Sequence, residues 1–396
     1  MLNEEFVIVS AVRTAIGKYG GTLKNVSSGH LAAIVIKEAV KRAGITPEQV
    51  DEVILGEVRQ QTDESNVARV AAIRAGIPVT SPAFTINRLC ASGMQAIGSA
   101  VQQIAFGQAE IVVAGGTENM SLAPLYIRGA RFGGDNVQIF DSNRENGQQP
   151  QEIYGPNLGM GMTAENVAER FNISREDQDK FAVESQRRAQ EAIANGKFKD
   201  EIVPVEVKTK KETIMFDQDE FPRPGTTLEV LAKLKPAFKE GGTVTAGNAC
   251  GRNDGAAALV IMTRKKAEEL GLKPLAKIVD WTAAGVDPEI MGIGPVPAVK
   301  KLLERTGKSL DEIGLIELNE AFASQALACI RQLNLDMDKV NVNGGAIALG
   351  HPLGATGARI VVTLLHEMMR RQEKYGIATL CVGGGQGMAT MLELID

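Results

Sequence analysis

Aromatic and imidazole side chains are scarce in this sequence. Aromatic residues make up 4% of the 396 positions, and the only histidines are His30, His351 and His366. There is no HExxH motif or Cys/His cluster of the kind that binds zinc. No apolar run is long enough to span a bilayer, and a net charge of −5 provides no basic face for phosphates. We therefore expect no metal, no membrane segment and no nucleic-acid partner.

Cysteines are also few and widely spaced. They are Cys90, Cys250, Cys329 and Cys381, and none of them forms a CxxC pair. The first 20 residues lack the basic head and apolar body of a signal peptide. We expect reduced thiols and a cytoplasmic location.

Glycine and aliphatic residues are abundant, and part of their pattern repeats. Residues 40–58 place Gly44, Thr46, Val50, Val53 and Glu57 at the same spacing as a second set in residues 303–321. That second set is Gly307, Ser309, Ile313, Ile316 and Glu320. Each copy has the pattern of a helix ended by glycine, a capped turn and a strand. This repeat predicts a duplicated α/β domain with mixed or parallel sheets covered by helices.

The segment between about residues 120 and 247 interrupts this repeat. Residues 141–156 are polar and predict an exposed loop, and residues 163–194 have helical periodicity with Thr163 as N-cap. Such an insertion either covers a ligand site or is a solvated excursion, and composition favours neither.

Cys90 lies where an apolar stretch ends and a helix is predicted to begin, in residues 87–93, NRLCASG. The positive end of a helix dipole and its free N–H groups favour a thiolate, which is the nucleophilic form. A buried structural cysteine is the alternative for a lone thiol in an apolar segment.

His351 lies in a glycine-rich segment that leads into another predicted helix, residues 350–354, GHPLG. The repeat places it at the helix start that corresponds to Cys90, so the two side chains are expected to face each other. A cysteine nucleophile commonly uses a nearby histidine as its base. A histidine that only holds the loop by hydrogen bonds is the alternative.

Two further segments carry polar or reactive groups at strand ends. Cys381 ends a predicted strand before residues 383–387, GGGQG, and the glycines expose backbone N–H groups suited to an oxyanion. A strand follows them, so a dinucleotide-binding turn, which needs a helix there, is excluded. Asn319 begins residues 319–322, NEAF, and either orients water or substrate or forms a turn.

Together these four segments resemble the thiolase family, in the family's order and from residues 7–14, VIVSAVRT, to the last strand. The resemblance implies a duplicated five-layer αβαβα fold with an inserted loop domain. It divides the chain into residues 1–120 with 248–272, residues 121–247 over the coenzyme A site, and residues 273–396. It also implies that the protein is a homodimer or a homotetramer made of two dimers, and that it acts in fatty acid metabolism.

The resemblance also implies the reaction, which is CoA-dependent cleavage of 3-ketoacyl-CoA or condensation of two acetyl-CoA. His351 would take the proton of Cys90, the Cys90 thiolate would carry the acyl group, and Cys381 would move the α-proton. His351 and a water on Asn319 would stabilise one oxyanion, and the N–H groups of Cys90 and Gly383 the other. No cofactor is implied beyond coenzyme A as substrate or product.

The family's substrate contacts map onto further positions. Arg223 in PRPG would contact the phosphates and adenine of CoA, Phe238 in KPAF would line the pantetheine channel, and Met291 in IMGIGP would line the acyl pocket. Each has a plain alternative: a solvated arginine, a core phenylalanine and a core methionine.

The sequence departs from short-chain biosynthetic thiolases at the substrate pocket. Gly159, just before Met160 in MGMTAEN, replaces the usual histidine, and Cys250 in GNACG replaces the usual serine. These changes, with the unusual loop 141–156, leave the substrate length and the preferred direction open, and the missing histidine favours an enzyme that is not restricted to acetoacetyl-CoA.

Two other functions are compatible with parts of this pattern. A decarboxylating ketoacyl synthase also uses cysteine and histidine, but it needs neither a second cysteine nor the NEAF segment. A non-catalytic acyl-CoA-binding homologue is expected to lack at least one of Cys90, Asn319, His351 and Cys381, and all four are present.

Overall fold

A computed structural model of the chain describes residues 4–134 and 136–395. Its strands are β1 Phe6–Thr14, β2 Gly17–Lys18, β3 Glu52–Gly56, β4 Ala83–Ile86, β5 Ile111–Asn119, β6 Leu125–Arg128, β7 Gln138–Asp141, β8 Ile202–Val203, β9 Val205–Lys208, β10 Thr213–Phe216, β11 Asn253–Thr263, β12 Ala276–Gly285, β13 Leu315–Leu318, β14 Tyr375–Val382 and β15 Gln386–Leu394. Its helices are α1 Ser28–Ala43, α2 Val67–Ala75, α3 Ser92–Ala105, α4 Gln151–Tyr154, α5 Met160–Arg170, α6 Arg175–Ala194, α7 Leu228–Ala232, α8 Arg264–Glu269, α9 Pro295–Thr306, α10 Ala323–Leu333, α11 Ala346–Leu349 and α12 Leu353–Arg371.

The large sheet is mixed, as the alternation of strands and helices predicts. Its strand order is β13-β14-β15-β12-β1-β11-β5-β3-β4. The pairs β3–β4, β3–β5 and β13–β14 are parallel, and the long pairs around β11 and β15 are antiparallel. The two halves meet where β1 pairs with β12 over only two positions. The sheet therefore consists of two similar halves joined at a short seam.

The sequence repeat corresponds to a structural repeat. Gly44 and Gly307 both end their helices in the left-handed conformation, with φ of 74° and 64°. Thr46 and Ser309 both form capping boxes that open the next turn, and the strands β3 and β13 follow. The predicted duplication is confirmed, because the same local signals build the same elements in both halves.

The helices form three layers around the two halves of the sheet. The helices α1 and α2 pack on the outer face of the first half, and α9 and α10 pack on the outer face of the second. The helices α3 and α12 lie between the halves and share one apolar core with both. Helix, sheet, helix, sheet, helix is the predicted five-layer order.

Glycines allow α3 and α12 to approach each other closely at their N-terminal ends. A Cβ on Gly93 would lie 2.8 Å from the backbone nitrogen of Ala358, and one on Gly357 would lie 2.4 Å from that of Met94. Only residues without a side chain permit this backbone distance. The close approach places the segments that carry Cys90 and His351 next to each other.

The insertion is tied to the core at several points. Its strand β8 extends the sheet beside β1, and Phe181 on α6 packs in the core of the second half. The fully buried Arg13 on β1 donates to Glu201 at 2.6 Å and to Asp219 at 2.7 Å. Removing one partner of such a buried ion pair typically costs about 3–5 kcal/mol.

One predicted helix of the insertion is wrong in detail. The expected helix over residues 163–194 is two helices, α5 and α6, with Gly159 and Ser174 as their N-caps. Ser174 accepts the N–H of Asp177 and starts α6 after a short break. Thr163 instead lies inside α5, where its hydroxyl donates to the Met160 carbonyl. In the described part of the chain, no helix combines the length and the apolarity needed to cross a membrane.

Candidate active site

A cavity of about 640 Å³ opens at the N-terminal ends of α3 and α12. Its wall includes most of the predicted site residues, namely Cys90, Met160, Phe238, Cys250, Met291, His351, Cys381 and Gly383. These residues come from both halves of the sheet and from the insertion. The fold therefore brings together groups that are up to 293 positions apart, between Cys90 and Gly383.

Cys90 follows a strained residue and precedes the N-cap of α3. Leu89 has a φ of 47°, a left-handed conformation that costs a non-glycine residue about 1–3 kcal/mol. The backbone N–H groups of Gly383 and of Cys90 itself face the Cys90 sulfur and lower the pKa of the thiol. The strained backbone at Leu89 therefore lies directly before the thiol that faces these donors.

Backbone N–H groups favour the Cys90 thiolate in the expected direction, but burial has the larger effect on the thiol. Burial raises the pKa of the Cys90 thiol to about 11, and the donors from Gly383 and Cys90 and the charge of Arg59 offset only part of this effect. The N-cap of α3 is Ala91, so the thiol precedes the first helical turn. Cys90 is a neutral thiol at neutral pH and needs a base.

His351 has the protonation state that such a base requires. Its Nδ1 lies 2.6 Å from the Thr356 hydroxyl, and that hydroxyl donates its only proton to the Pro352 carbonyl at 2.8 Å. The hydroxyl must therefore accept a proton from Nδ1, which fixes the tautomer and leaves a lone pair on Nε2. The Nε2 atom is buried without a partner among the described residues.

The charge of His351 follows from its surroundings. Burial and the nearby Arg359 guanidinium lower the pKa of the imidazole to about 3. The backbone N–H of His351 donates to Asn253 at 2.9 Å, which fixes the residue at the start of α12. A neutral, oriented imidazole with a free Nε2 is therefore available at the cavity wall over the physiological range.

Cys381 is the last residue but one of β14, and a three-glycine turn follows Val382. Gly384 and Gly385 have φ of 77° and 85°, and the chain then enters β15. This is the predicted strand–glycine–strand arrangement. Burial, with the neighbouring sulfurs of Cys90, Cys329 and Cys250, raises the pKa of the Cys381 thiol well above its usual value. Cys381 is a neutral thiol in the resting structure.

Asn319 is buried behind this site and does not form part of the cavity wall. Its backbone N–H donates to Thr379 at 3.0 Å, but neither polar atom of its side chain has a partner among the described residues. Its neighbour Glu320 accepts hydrogen bonds from Ser185 and Asn341. Glu320 therefore fixes the backbone beside an amide that is free to bind another polar group.

Glu118 holds three backbone segments together beside the site. Its carboxyl group accepts the backbone N–H groups of Val58, Arg59 and Gly354 at 2.8–3.0 Å. It thereby links the ends of β3 and β5 to the first turn of α12. No local sequence pattern marks Glu118, because its partners are distant in sequence.

The opposite wall of the cavity is apolar. Phe238 packs edge-to-face on Phe322, with ring centroids 6.2 Å apart. Gly161 permits this, since a Cβ there would lie 2.2 Å from the Phe238 ring. Met291 and Cys250 belong to the same apolar cluster, in which burial raises the pKa of the Cys250 thiol to about 12.

Arg223 lies apart from this cavity. Its side chain is exposed, its guanidinium lies 5.0 Å from the Phe221 ring, and it donates to the Ala246 carbonyl at 3.3 Å. The structure therefore does not bring Arg223 together with the cysteines, and its contact with CoA stays a prediction.

The missing side chain at Gly159 does not leave empty space. A Cβ at Gly159 would lie 2.6 Å from the side-chain oxygen of Asn146, which belongs to the covering loop. The Asn146 amide nitrogen is held by the Pro156 carbonyl at 3.0 Å. The loop therefore fills the volume that a larger residue at position 159 would occupy.

Three further residues were not among the predicted site residues: Thr356, which contacts His351, and the cavity residues Gln148 and Arg59. Thr356 lies on the first turn of the helix that follows His351, so its closeness in sequence is a signal that could have found it. Gln148 and Arg59 come from remote segments and carry no such signal. Within residues 4–134 and 136–395, no group of three potential metal ligands is present.

Comparisons with known proteins agree with this arrangement. Residues 6–265 match the thiolase N-terminal domain, and residues 272–394 match the thiolase C-terminal domain. This chain belongs to the thiolase family. The acetyl-CoA acetyltransferase of Syntrophomonas wolfei is 52% identical, with both chains covered completely.

Solved thiolase structures also superpose on the whole chain. Human mitochondrial 3-ketoacyl-CoA thiolase is 47% identical with a TM-score of 0.96, and both chains are covered completely. The same human enzyme in complex with CoA has a TM-score of 0.94 at 46% identity, covering 99% of this chain and 98% of that one. The thiolase fold therefore extends from the first strand to the last.

Proposed function

We propose that this thiolase is an acyl-CoA C-acyltransferase that cleaves 3-ketoacyl-CoA with free CoA, or runs the reverse condensation of two acetyl-CoA. The observation that carries the proposal is the neutral His351, whose unpartnered Nε2 lies in the wall of the same cavity as the Cys90 thiol. The full-length similarity to acetyl-CoA acetyltransferases and 3-ketoacyl-CoA thiolases supports it.

In the cleavage direction, His351 Nε2 takes the proton of Cys90, and the thiolate attacks the C3 carbonyl of the substrate. The C2–C3 bond then breaks, and the leaving acetyl-CoA carbanion takes the proton of Cys381. Burial keeps Cys381 protonated before this step, which is the form that the step needs. The acyl group remains on Cys90 as a thioester.

The second half returns both cysteines to their resting state. The Cys381 thiolate takes the proton of free CoA, and the CoA thiolate attacks the acyl group on Cys90. Cys90 leaves as a thiolate and regains its proton from the His351 imidazolium. Condensation follows the same steps in reverse, with Cys381 removing the α-proton of acetyl-CoA.

Each carbonyl passes through an oxyanion that needs hydrogen-bond donors. We assign one oxyanion to the N–H groups of Cys90 and Gly383, which already reach toward the Cys90 sulfur. We assign the other to His351 and a water held by Asn319, whose amide has no partner in the described residues. Each such donor typically contributes about 3–4 kcal/mol to transition-state stabilisation.

The apolar wall suits the pantetheine arm and acyl chain of the substrate. We assign Phe238 and Met160 to the pantetheine channel, and Met291 and Cys250 to the acyl side, because all four line the cavity. Arg223 is assigned to the phosphates and adenine of CoA, outside the cavity. No cofactor beyond the CoA substrates takes part.

We also propose a cytoplasmic dimer or dimer of dimers that acts in fatty acid metabolism. The strand β4 lies at one end of the sheet, where its outer edge is available for pairing. The β6–β7 hairpin exposes Leu125, Ile127 and Ile139 by 63–68%, an apolar surface suited to an interface. Sedimentation of the purified protein tests this state, and a monomer at all concentrations would contradict it.

The test of the reaction is CoA-dependent cleavage of 3-ketoacyl-CoAs of graded chain length, followed by loss of the magnesium–enolate absorbance. We expect cleavage by the native enzyme, extending beyond acetoacetyl-CoA, and none by Cys90→Ala. Absence of cleavage with every substrate would refute the proposal. A malonyl-thioester assay tests the decarboxylating alternative and is expected to give no product.

A further inference from the structure

Arg59 is a cation in the cavity wall that the proposed reaction does not use. It lies three positions beyond the end of β3, and Glu118 fixes its backbone N–H at 2.9 Å. Its side chain is partly buried, and its Nε is buried without a hydrogen-bond partner among the described residues. A buried polar group of this kind costs free energy until a partner satisfies it.

The other charged residues of the cavity wall have partners. Glu145 accepts from Arg128 at 2.6 Å, Arg252 donates to the Asn143 carbonyl at 3.2 Å, and Arg144 lies 3.5 Å from Asp141. Arg144 is also largely exposed, with 77% of its side chain accessible. Arg59 therefore differs from these residues in being buried at the cavity without a partner for its Nε.

The wall beside the catalytic turn is polar as well. The Gln148 side chain lies over Gly383, where a Cβ would be 3.1 Å from Gln148 Cγ. The side-chain oxygen of Gln148 is buried and has no partner among the described residues. A polar wall on this side contrasts with the apolar wall of Met160, Met291 and Phe322, so it suits a different part of the ligand.

The position of Arg59 points to the acyl group as its partner. Its charge is close enough to Cys90 to lower the pKa of that thiol, against the larger effect of burial. In an acyl-CoA, the pantetheine arm separates the thioester from the phosphates. A cation near the reacting sulfur therefore meets the acyl chain, and the phosphates lie elsewhere.

We propose that Arg59 binds a carboxylate at the far end of the acyl chain, so that the preferred substrates are 3-ketoacyl-CoAs with an ω-carboxylate. A guanidinium suits this role because it offers several donors in a fixed geometry that matches a carboxylate. The inference rests on the proposed thiolase reaction and adds a substrate class to it. Cleavage then transfers an acyl group with a terminal carboxylate from Cys90 to CoA and releases acetyl-CoA.

The test compares matched substrates that differ only at the chain end, a methyl group or a carboxylate, at two chain lengths. CoA-dependent cleavage is measured as kcat/KM for the native enzyme, Arg59→Leu, Arg59→Lys and the control Arg187→Leu. We expect the native enzyme to prefer the carboxylates by at least about 10-fold, and Arg59→Leu to lose about 10- to 100-fold on them, as for hydrogen bonds to charged groups. We expect Arg59→Leu to remain within a few-fold of the native enzyme on the methyl-ended substrates, because burial outweighs Arg59 in setting the Cys90 pKa. We expect Arg187→Leu, on the exposed side of α6 and outside the cavity, to behave as the native enzyme. Arg59→Lys should keep part of the preference.

Two results would overturn the inference while leaving the thiolase reaction intact. One is equal cleavage of both substrates of a pair by the native enzyme. The other is an equal loss on all substrates in Arg59→Leu, which would place Arg59 in support of Cys90 or of the fold. Absence of cleavage with both kinds of substrate would instead refute the proposed reaction itself.

Discussion

The tautomer of His351 depends on a single hydroxyl group, which makes Thr356 the most informative position to change. Thr356→Val keeps the size and branching of the side chain but removes the oxygen that accepts from His351 Nδ1 at 2.6 Å. The valine variant leaves the Nδ1 proton buried without an acceptor. The hydrogen bond then no longer favours the Nδ1–H tautomer, and in the competing tautomer Nε2 carries the proton and cannot act as a base toward Cys90.

The size of the effect follows from the cost of an unsatisfied buried donor. That cost is about 1–3 kcal/mol, and each 1.4 kcal/mol changes a population tenfold. The ratio of the productive to the unproductive tautomer should therefore fall by a factor of about 5 to 150. The rate of Cys90 acylation should fall with the population of the productive tautomer. The variant keeps a neutral imidazole, since burial is the main cause of its low pKa.

The assay is the single-turnover rate of acyl transfer to Cys90, measured together with kcat/KM for cleavage. Thr356→Ser is the matched control, because it keeps the hydroxyl and should remain within a few-fold of the native rate. A loss in Thr356→Val alone supports the tautomer assignment. Equal rates in the native enzyme and Thr356→Val would refute it, since the hydrogen bond would then have no influence on the base.

Three further predictions concern the thiol, the helix contact and the covering loop. Burial raises the pKa of Cys90, so the rate of alkylation of this thiol by iodoacetamide should rise steadily with pH through the alkaline range. A rate that does not change with pH around neutrality would indicate a preformed thiolate and contradict this prediction. Gly357→Ala places a Cβ 2.4 Å from backbone and should lower the free energy of unfolding by about 1–3 kcal/mol in urea titrations, whereas Gly147→Ala, with open space around it, should change little. Gly159→Ala should reduce cleavage through its clash with Asn146, and the added change Asn146→Gly should restore it; purely additive losses would count against this contact.

Local signals in the sequence are sufficient for much of the fold. Gly44 and Gly307 end their helices, and Thr46 and Ser309 cap the next turn, because each acts on backbone groups within a few positions. The duplicated architecture is visible from these signals alone. The break between α5 and α6 was missed, since an apolar periodicity continues across it while Ser174 starts a new helix.

The site was predictable in its residue types but not in its electrostatics. Motifs around Cys90, His351 and Cys381 indicate that these residues belong to one site, and the structure places all three in one cavity wall. The backbone donors near the helix start lower the pKa of Cys90 as expected, but burial outweighs them, and burial depends on distant segments. Similarly, no local pattern reveals that Asn146 fills the space beside Gly159.

The left-handed conformation of Leu89 is a further feature without a sequence signal. Positive φ is usually marked by glycine or asparagine, whereas leucine is among the residues that adopt it at a cost. The surrounding structure imposes it where the chain turns to present the Cys90 thiol. Sequence patterns therefore identify the reactive residues, but they do not predict the backbone conformation that orients them.

The most direct test of the proposed function is mass spectrometry of the enzyme after brief exposure to a 3-ketoacyl-CoA without free CoA. The mechanism predicts one acyl group per chain on the peptide that contains Cys90, its removal on addition of CoA, and no acylation of Cys90→Ala. An unmodified Cys90 in the native enzyme, or an acyl group carried by Cys250 or Cys381 instead, would contradict it.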